Sequence, residues 1–252
     1  MKWWRNIKDI VLSFYYPSGQ FFLVSFPNSG RTWLMHMLRR ILKEAGKENL
    51  YIEDTHDCSE IIIENGTRQD PNLIFNFTSR FRYLRARVIF LSRDPRDVIT
   101  SNFHQVTNRS KNPFKFNSKS EFVRHDIYGF KRVIHFFNIW YNNRNKPQDF
   151  LFIKYENLLE NTLDLKKIIN FLNLNISDEL IEKIYKESTA DKMREKEKSN
   201  QLSGFSDFGK EINKLKVRKA IKGSYAEELT FDDITYCNKQ MEKLNPYFGY
   251  KV

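Results

Sequence analysis

The chain of 252 residues is 40% hydrophobic and 15% aromatic, with 22 Phe, so it can build a real core; disordered, collagenous and coiled-coil classes are excluded. A net charge of +11 points to an anionic partner and leaves nucleic acid, an anionic membrane and a phosphorylated or sulfated small molecule all open. Cys58 and Cys237 are too few for a disulfide scaffold and lack metal spacing, so a reducing, cytoplasmic setting is expected.

The first 30 residues need a membrane check. No charge falls between Ile10 and Gly30, yet Pro17, Gly19, Gln20 and Pro27 interrupt the stretch. The remaining apolar runs are well short of the ~20 residues of a spanning helix. Ile10–Tyr16 is short and aromatic for a signal segment and has no small-residue cleavage site after it. No stable membrane insertion is expected.

Phe21–Ser25 is apolar without alternation, the pattern of a strand covered on both faces. A helix over Thr32–Ala45 follows, closed by Gly46. Val88–Ser92 reads as a second buried strand, with Asp94 as N-cap and Pro95 in the first turn of the next helix. Ser120–Arg144 reads as one long amphipathic stretch whose Phe122, Phe130, Val133, Phe137 and Trp140 face the core. A third strand is expected at Phe150–Lys154.

From Met193 to Gly223 the chain turns polar, and Lys192–Lys222 holds ten basic against four acidic residues. This segment reads as a mobile basic loop at about 194–222, or as a solvated surface excursion. Tyr247–Tyr250 reads as a terminus tied onto the body. The strand–helix alternation predicts an α/β fold with a mainly parallel sheet, in a single domain over 1–252.

Open α/β sheets bind ligands at the carboxyl ends of their strands. There the turn from Ser25 to Trp33 enters a helix and presents unpaired backbone N–H groups to an anion. It is a degenerate phosphate loop: Ser25 takes the place of the first Gly, and Gly30-Arg31-Thr32 stands where Gly-Lys-Thr would. The missing Lys argues against an NTPase.

These residues resemble a known family. Phe26-Pro27-Asn28-Ser29-Gly30-Arg31-Thr32-Trp33 resembles the 5′-phosphosulfate loop of the cytosolic-type sulfotransferases. Arg93-Asp94-Pro95-Arg96-Asp97-Val98-Ile99-Thr100-Ser101 resembles their 3′-phosphate motif. Tyr155-Glu156-Asn157-Leu158, Ser188–Met193 and Arg218–Gly223 resemble three further elements, in the family's order. The short loops and the Arg-Asp-Pro-Arg-Asp form are similar to the bacterial branch. The resemblance implies a P-loop-like three-layer fold, its central, mainly parallel sheet flanked by helices. It also implies 3′-phosphoadenosine 5′-phosphosulfate (PAPS) as co-substrate, 3′-phosphoadenosine 5′-phosphate (PAP) as product, and a small-molecule acceptor. No metal is required and no nucleic acid is expected.

The same resemblance implies roles. Ser29, Gly30, Arg31 and Thr32 cradle the 5′-phosphosulfate. Trp33 stacks on the adenine, although a core role for an aromatic at a helix start is equally open from the residue alone. Arg93 with Ser101, joined by Arg218 and Lys219, takes the 3′-phosphate. Arg96 and Asp97 brace the helix. Tyr155 and Ser188 contact adenine edges. His56, with Asp57 or Asp54 to orient it, is the expected base that removes the acceptor proton. Of the other histidines (His36, His104, His125 and His135), His104 is the second candidate. Asn28 stands where the family carries Lys, so Arg31 or a Lys of the basic segment is left to supply that charge. The aromatic clusters at 14–16 and 75–77 are candidate acceptor walls. A P-loop kinase, a nucleotide-binding relative without catalysis, and a basic nucleic-acid or anion-binding protein are the rival readings.

Overall fold

In the computed structural model, residues 19–59, 82–109, 115–199, 201, 211–218 and 220–252 are described. Phe21–Ser25 (β1), Ile52–Thr55 (β2), Arg87–Ser92 (β3) and Asp149–Lys154 (β4) form one sheet in the order β2-β1-β3-β4. All three ladders are parallel, with Phe21 opposite both Ile52 and Arg87, and Arg87 opposite Asp149.

Successive strand residues face opposite sides, so each uninterrupted apolar run feeds two cores. Phe22, Val24, Val88 and Phe90 pack in one cluster with Phe130, Phe136, Phe137 and Trp140. Phe21, Leu23, Ile89, Leu91 and Ile153 pack in the other with Leu34, Leu38, Ile41, Ile168 and Ile184. Each such side chain contributes about 1.5–3 kcal/mol when fully buried. Helices supply both outer layers, giving the three-layer fold expected. Of the strands, β2 was not legible: it holds one buried residue, Ile52, beside the more exposed Glu53-Asp54-Thr55 of an edge.

The helices are α1 (Arg31–Glu44), α2 (Pro95–Asn108), α3 (Lys119–Arg124), α4 (Phe130–Asn143), α5 (Tyr155–Glu160), α6 (Leu163–Phe171), α7 (Asp178–Lys186), α8 (Ala190–Lys198), α9 (Tyr225–Glu228) and α10 (Phe231–Met241). Helix α1 ends as expected: Lys47 N–H bonds the Leu42 carbonyl and Gly46, at φ 62°, bonds Lys43. In α2, the Asp94 carboxylate accepts from Arg96 N–H at 2.9 Å.

The expected single helix over 120–144 is in fact two, α3 and α4. His125 leaves helical geometry, and its Nδ1 accepts from the N–H groups of Ile127 and Tyr128 at 3.1 and 3.3 Å. Gly129 closes this corner, where a Cβ would lie 2.2 Å from the His125 carbonyl oxygen. The aromatic face is unaffected, because Phe122, Phe130, Val133, Phe137 and Trp140 are all fully buried. The basic segment likewise starts as helix α8 rather than as loop. Residues 202–210 and Lys219 lie outside the described residues, as do 1–18 and the expected acceptor walls.

The terminus is tied down. Phe248 packs 5.8 Å from Phe90 and 5.0 Å from Phe137 between ring centres. The Tyr250 hydroxyl donates to Glu156 at 3.0 Å and shares a 2.8 Å bond with Ser92 Oγ. Both cysteines are buried. Among the described residues no helix is long and apolar enough to cross a membrane.

Candidate functional site

A cavity of about 360 Å³ opens at the carboxyl ends of the strands. The residues that follow each strand contribute to its wall: Pro27, Asn28 and Gly30–Trp33 after β1, His56 after β2, Arg93 after β3 and Tyr155 after β4.

The loop after β1 is shaped by two left-handed residues, Asn28 at φ 67° and Gly30 at φ 93°. Gly30 caps α1 without a side chain, so the N–H groups of its first turn face outward at the positive end of the helix. Glycine is required there twice over, since a Cβ would sit 2.4 Å from the Tyr155 ring. Ser29 N–H is already turned back to the Phe26 carbonyl at 3.3 Å, while its buried Oγ has no partner among the described residues.

Asn28 is engaged through both ends of its carboxamide. Its Nδ2 donates to Asn102 Oδ1 at 3.2 Å, and its Oδ1 accepts from Arg109 at 3.1 Å. Arg31 pairs with Asp54 at 3.1 Å, and burial pulls its guanidinium below its ordinary value.

Arg93 ties three segments together. It donates to the Asn28 carbonyl and to Ser101 Oγ, both at 3.3 Å, and to the Ile221 carbonyl at 3.4 Å. Its guanidinium also covers the Tyr155 ring, 4.8 Å from the centre. Asp97, one turn on and fully buried, accepts from Gly223 N–H, Ser224 Oγ and Tyr225 N–H, which anchors the returning basic segment to α2. Arg96 instead bonds Asp94, Asn238 and the Lys251 carbonyl, a bracing position away from the cavity.

Trp33 stands edge-on to Tyr155 at 5.7 Å and donates Nε1–H to the Ser188 carbonyl at 2.6 Å. Ser188 itself is fully buried, and its hydroxyl bonds the Ile184 carbonyl; it is not brought to the cavity wall. Arg218 lines the cavity and pairs with Glu228 at 2.5 Å. The same carboxylate holds His104 at 3.0 Å and Lys119 at 3.1 Å, and these partners keep Glu228 far below the usual carboxylate range.

The orienting partner of His56 is not a carboxylate. Nδ1 lies 2.7 Å from the Ser25 carbonyl oxygen. A carbonyl can only accept, so Nδ1 carries the hydrogen and Nε2 keeps its lone pair. Asp54 is occupied by Arg31, and Asp57 accepts from the Tyr83 hydroxyl at 2.9 Å. Burial, reinforced by the Arg31 charge, lowers the imidazole to about 4, opposite to the upward shift that a paired Asp would give.

Reading the motifs alone misses Gln105, Arg109, Leu215 and Lys216, all of which line the cavity. Ser101, Gln105 and Arg109 are spaced by four, one face of a helix, and that spacing was the available signal. The Glu197 carboxylate places Lys216 by accepting from its backbone N–H at 2.6 Å and from that of Val217 at 3.0 Å. The wall is thus rich in donors: one guanidinium nitrogen each of Arg31, Arg93 and Arg109 is buried without a partner among the described residues. Such a wall suits an anion with several acceptor oxygens.

A family model for the sulfotransferase domain matches residues 18–245. Human sulfotransferase 2B1 is 28% identical over 200 residues, which cover 71% of this chain and 53% of that protein. The guinea-pig (Cavia porcellus) 3-beta-hydroxysteroid sulfotransferase is 27% identical over 227 residues, 82% of this chain and 77% of its own. Among solved structures, a mouse sulfotransferase complexed with PAP superposes with a TM-score of 0.66 at 20% identity, covering 92% of this chain and 87% of that one. Retinol dehydratase in complex with androsterone and PAP gives 0.62 at 16% identity, covering 94% and 84%. These superpositions establish the fold.

Proposed function

The chain belongs to the sulfotransferase domain family, and on that footing we propose that it transfers a sulfuryl group from PAPS to a hydroxyl or amine of a small-molecule acceptor, in the cytoplasm. One observation carries this reading: a single cavity joins the uncapped N-terminus of α1 to the Arg93–Ser101 pair, two anion sites for a donor with two separate phosphate groups. The first-turn N–H groups and Thr32 hold the 5′-phosphosulfate. Arg93, Ser101 and Arg218, with Lys219, hold the 3′-phosphate. Trp33, fixed by the Ser188 carbonyl, and Tyr155 take the adenine. His56, whose Nε2 has no partner among the described residues, receives the acceptor proton. One relative is named a 3-beta-hydroxysteroid sulfotransferase, and a small apolar alcohol is the first acceptor class to try.

Calorimetric titration tests the donor site. PAP is expected to bind at least about tenfold tighter than adenosine 5′-phosphate, as one charge-assisted pair allows. Arg93→Ala is expected to erase the difference. Equal affinities would remove the 3′ pocket and return the kinase reading. A second reading, nucleotide binding without transfer, is favoured by the neutral Asn28. Tight PAP binding with no transfer to any hydroxyl or amine acceptor would establish it.

A further inference from the structure

Of the arginines that line the cavity, Arg109 alone makes no salt bridge to a carboxylate among the described residues; Glu197 acts on it only at longer range. Arg31, Arg93 and Arg218 stand against Asp54, Asp97 and Glu228, the Arg93 pair at 4.0 Å. Arg109, at the C-cap of α2 and only 6% exposed, donates instead to two neutral oxygens. These are the Leu215 carbonyl at 3.3 Å and Asn28 Oδ1 at 3.1 Å, and Nε has no partner among the described residues. Burial lowers its pKa to about 10, so at neutral pH it stays charged. A buried cation whose hydrogen-bond acceptors are all neutral is costly to hold. That cost is offset when an anion enters the cavity that Arg109 lines.

The contact between Arg109 and Asn28 locates that anion. The Asn side chain ends two atoms short of where a lysine at the same position would end. An ammonium at position 28 would therefore reach the space that the Arg109 guanidinium holds. The loop carries the short neutral side chain, and the positive charge arrives from the end of α2.

Resting on the sulfotransferase reading, we propose that Arg109 is the cation that contacts the donor's phosphosulfate, with the Asn28 carboxamide as its positioning residue. In the transfer, the acceptor oxygen forms the new bond to sulfur and gives its proton to Nε2 of His56. The bond between sulfur and the phosphate oxygen breaks, and its electron pair stays on that oxygen. Arg109 neutralises the charge arriving there.

The test combines binding and transfer. PAP, adenosine 5′-phosphate and adenosine 3′-phosphate are titrated into the wild type, Arg109→Met, Asn28→Lys and the double variant, beside single-turnover transfer from PAPS. Arg109→Met is expected to weaken PAP and adenosine 5′-phosphate about ten- to hundredfold and to leave adenosine 3′-phosphate within about twofold. Transfer falls by at least as much. Asn28→Lys in the Arg109→Met background restores most of the loss, whereas Asn28→Lys alone, which crowds two cations, gains nothing. Arg109→Lys keeps the charge and most of the 5′-phosphate affinity, so the test stands even if the Met variant fails to fold. Equal losses for the two monophosphates, no loss at all, or a folded double variant without recovery overturns the assignment. A wild type that does not prefer PAP to adenosine 5′-phosphate overturns the sulfotransferase reading itself, a result distinct from an Arg109 variant that binds like the wild type.

Discussion

The state of His56 can be tested through stability as well as rate. An imidazole moved from 6.5 to about 4 corresponds to about 3 kcal/mol. The sign follows from proton counting. Between these two values the unfolded chain binds a proton that the folded chain refuses. The stability that neutral His56 contributes is therefore fully present above pH 6.5 and declines as the pH falls towards 4. His36 is also lowered to about 4, by burial and then by Lys196, so it adds a similar slope. Only a difference between variants isolates His56. His56→Asn is the informative change, because an Asn Nδ2 donates to the Ser25 carbonyl much as Nδ1 does yet neither titrates nor accepts a proton. Urea unfolding at pH 4.5, 5.5, 6.5 and 7.5 should show the wild type losing about 2–3 kcal/mol more than His56→Asn across that range. In the same variant, transfer to a hydroxyl acceptor should fall about 10²–10⁴-fold with PAP affinity kept within a few-fold. The wild-type kcat/KM, which reports the free protein, should be level above about pH 5. Parallel acid limbs in wild type and variant, or a kcat/KM that climbs through 6.5, would refute the reasoning.

Gly30→Ala should lower stability by about 2–4 kcal/mol, from the left-handed backbone and the clash with the Tyr155 ring, and should weaken PAP binding; an unchanged thermal midpoint would contradict both. Asp97→Asn replaces one oxygen of a fully buried carboxylate that accepts three hydrogen bonds, so at least one donor is orphaned at a cost of about 1–3 kcal/mol. The measurable consequence is faster proteolysis within 211–223 that PAP suppresses, and a cleavage rate equal to wild type would count against the anchor.

What the sequence disclosed and what it hid have separate physical causes. Strands β1 and β3 were readable because burial on both faces demands unbroken apolar runs, and the edge strand β4 because Phe150 and Phe152 pack on one core and Leu151 and Ile153 on the other. Strand β2 was not, because an edge position asks little of Glu53-Asp54-Thr55. Helical periodicity survived the break at His125–Gly129, since α3 and α4 present their aromatics to the same core. The loop and the Arg93–Ser101 pair were visible as local spacing. The hydrogen bond that selects the tautomer of His56 was not, because a backbone carbonyl 31 residues away leaves no trace in side-chain identity. Arg109 was hidden for a related reason: its meaning depends on a hydrogen bond to Asn28, 81 positions earlier.

The same distinction applies to charge. A net +11 is as compatible with a nucleic-acid groove as with a small anionic ligand. The disposition of the cavity arginines bears on the small-ligand side of that choice. A polymer backbone is met by cations on an open face, where counterions are easily displaced. Here Arg93 and Arg109 are only 7% and 6% exposed, and Arg31, Arg93 and Arg218 stand against carboxylates that fix them before any ligand arrives. Recessed, prepositioned guanidinium groups favour an anion small enough to enter about 360 Å³, and they spare it the reorganisation that mobile surface lysines would require. The pairing also sets a limit on the grip of Arg218: a phosphate approaching it shares the guanidinium with Glu228, so the net attraction is smaller than that of an unpaired cation.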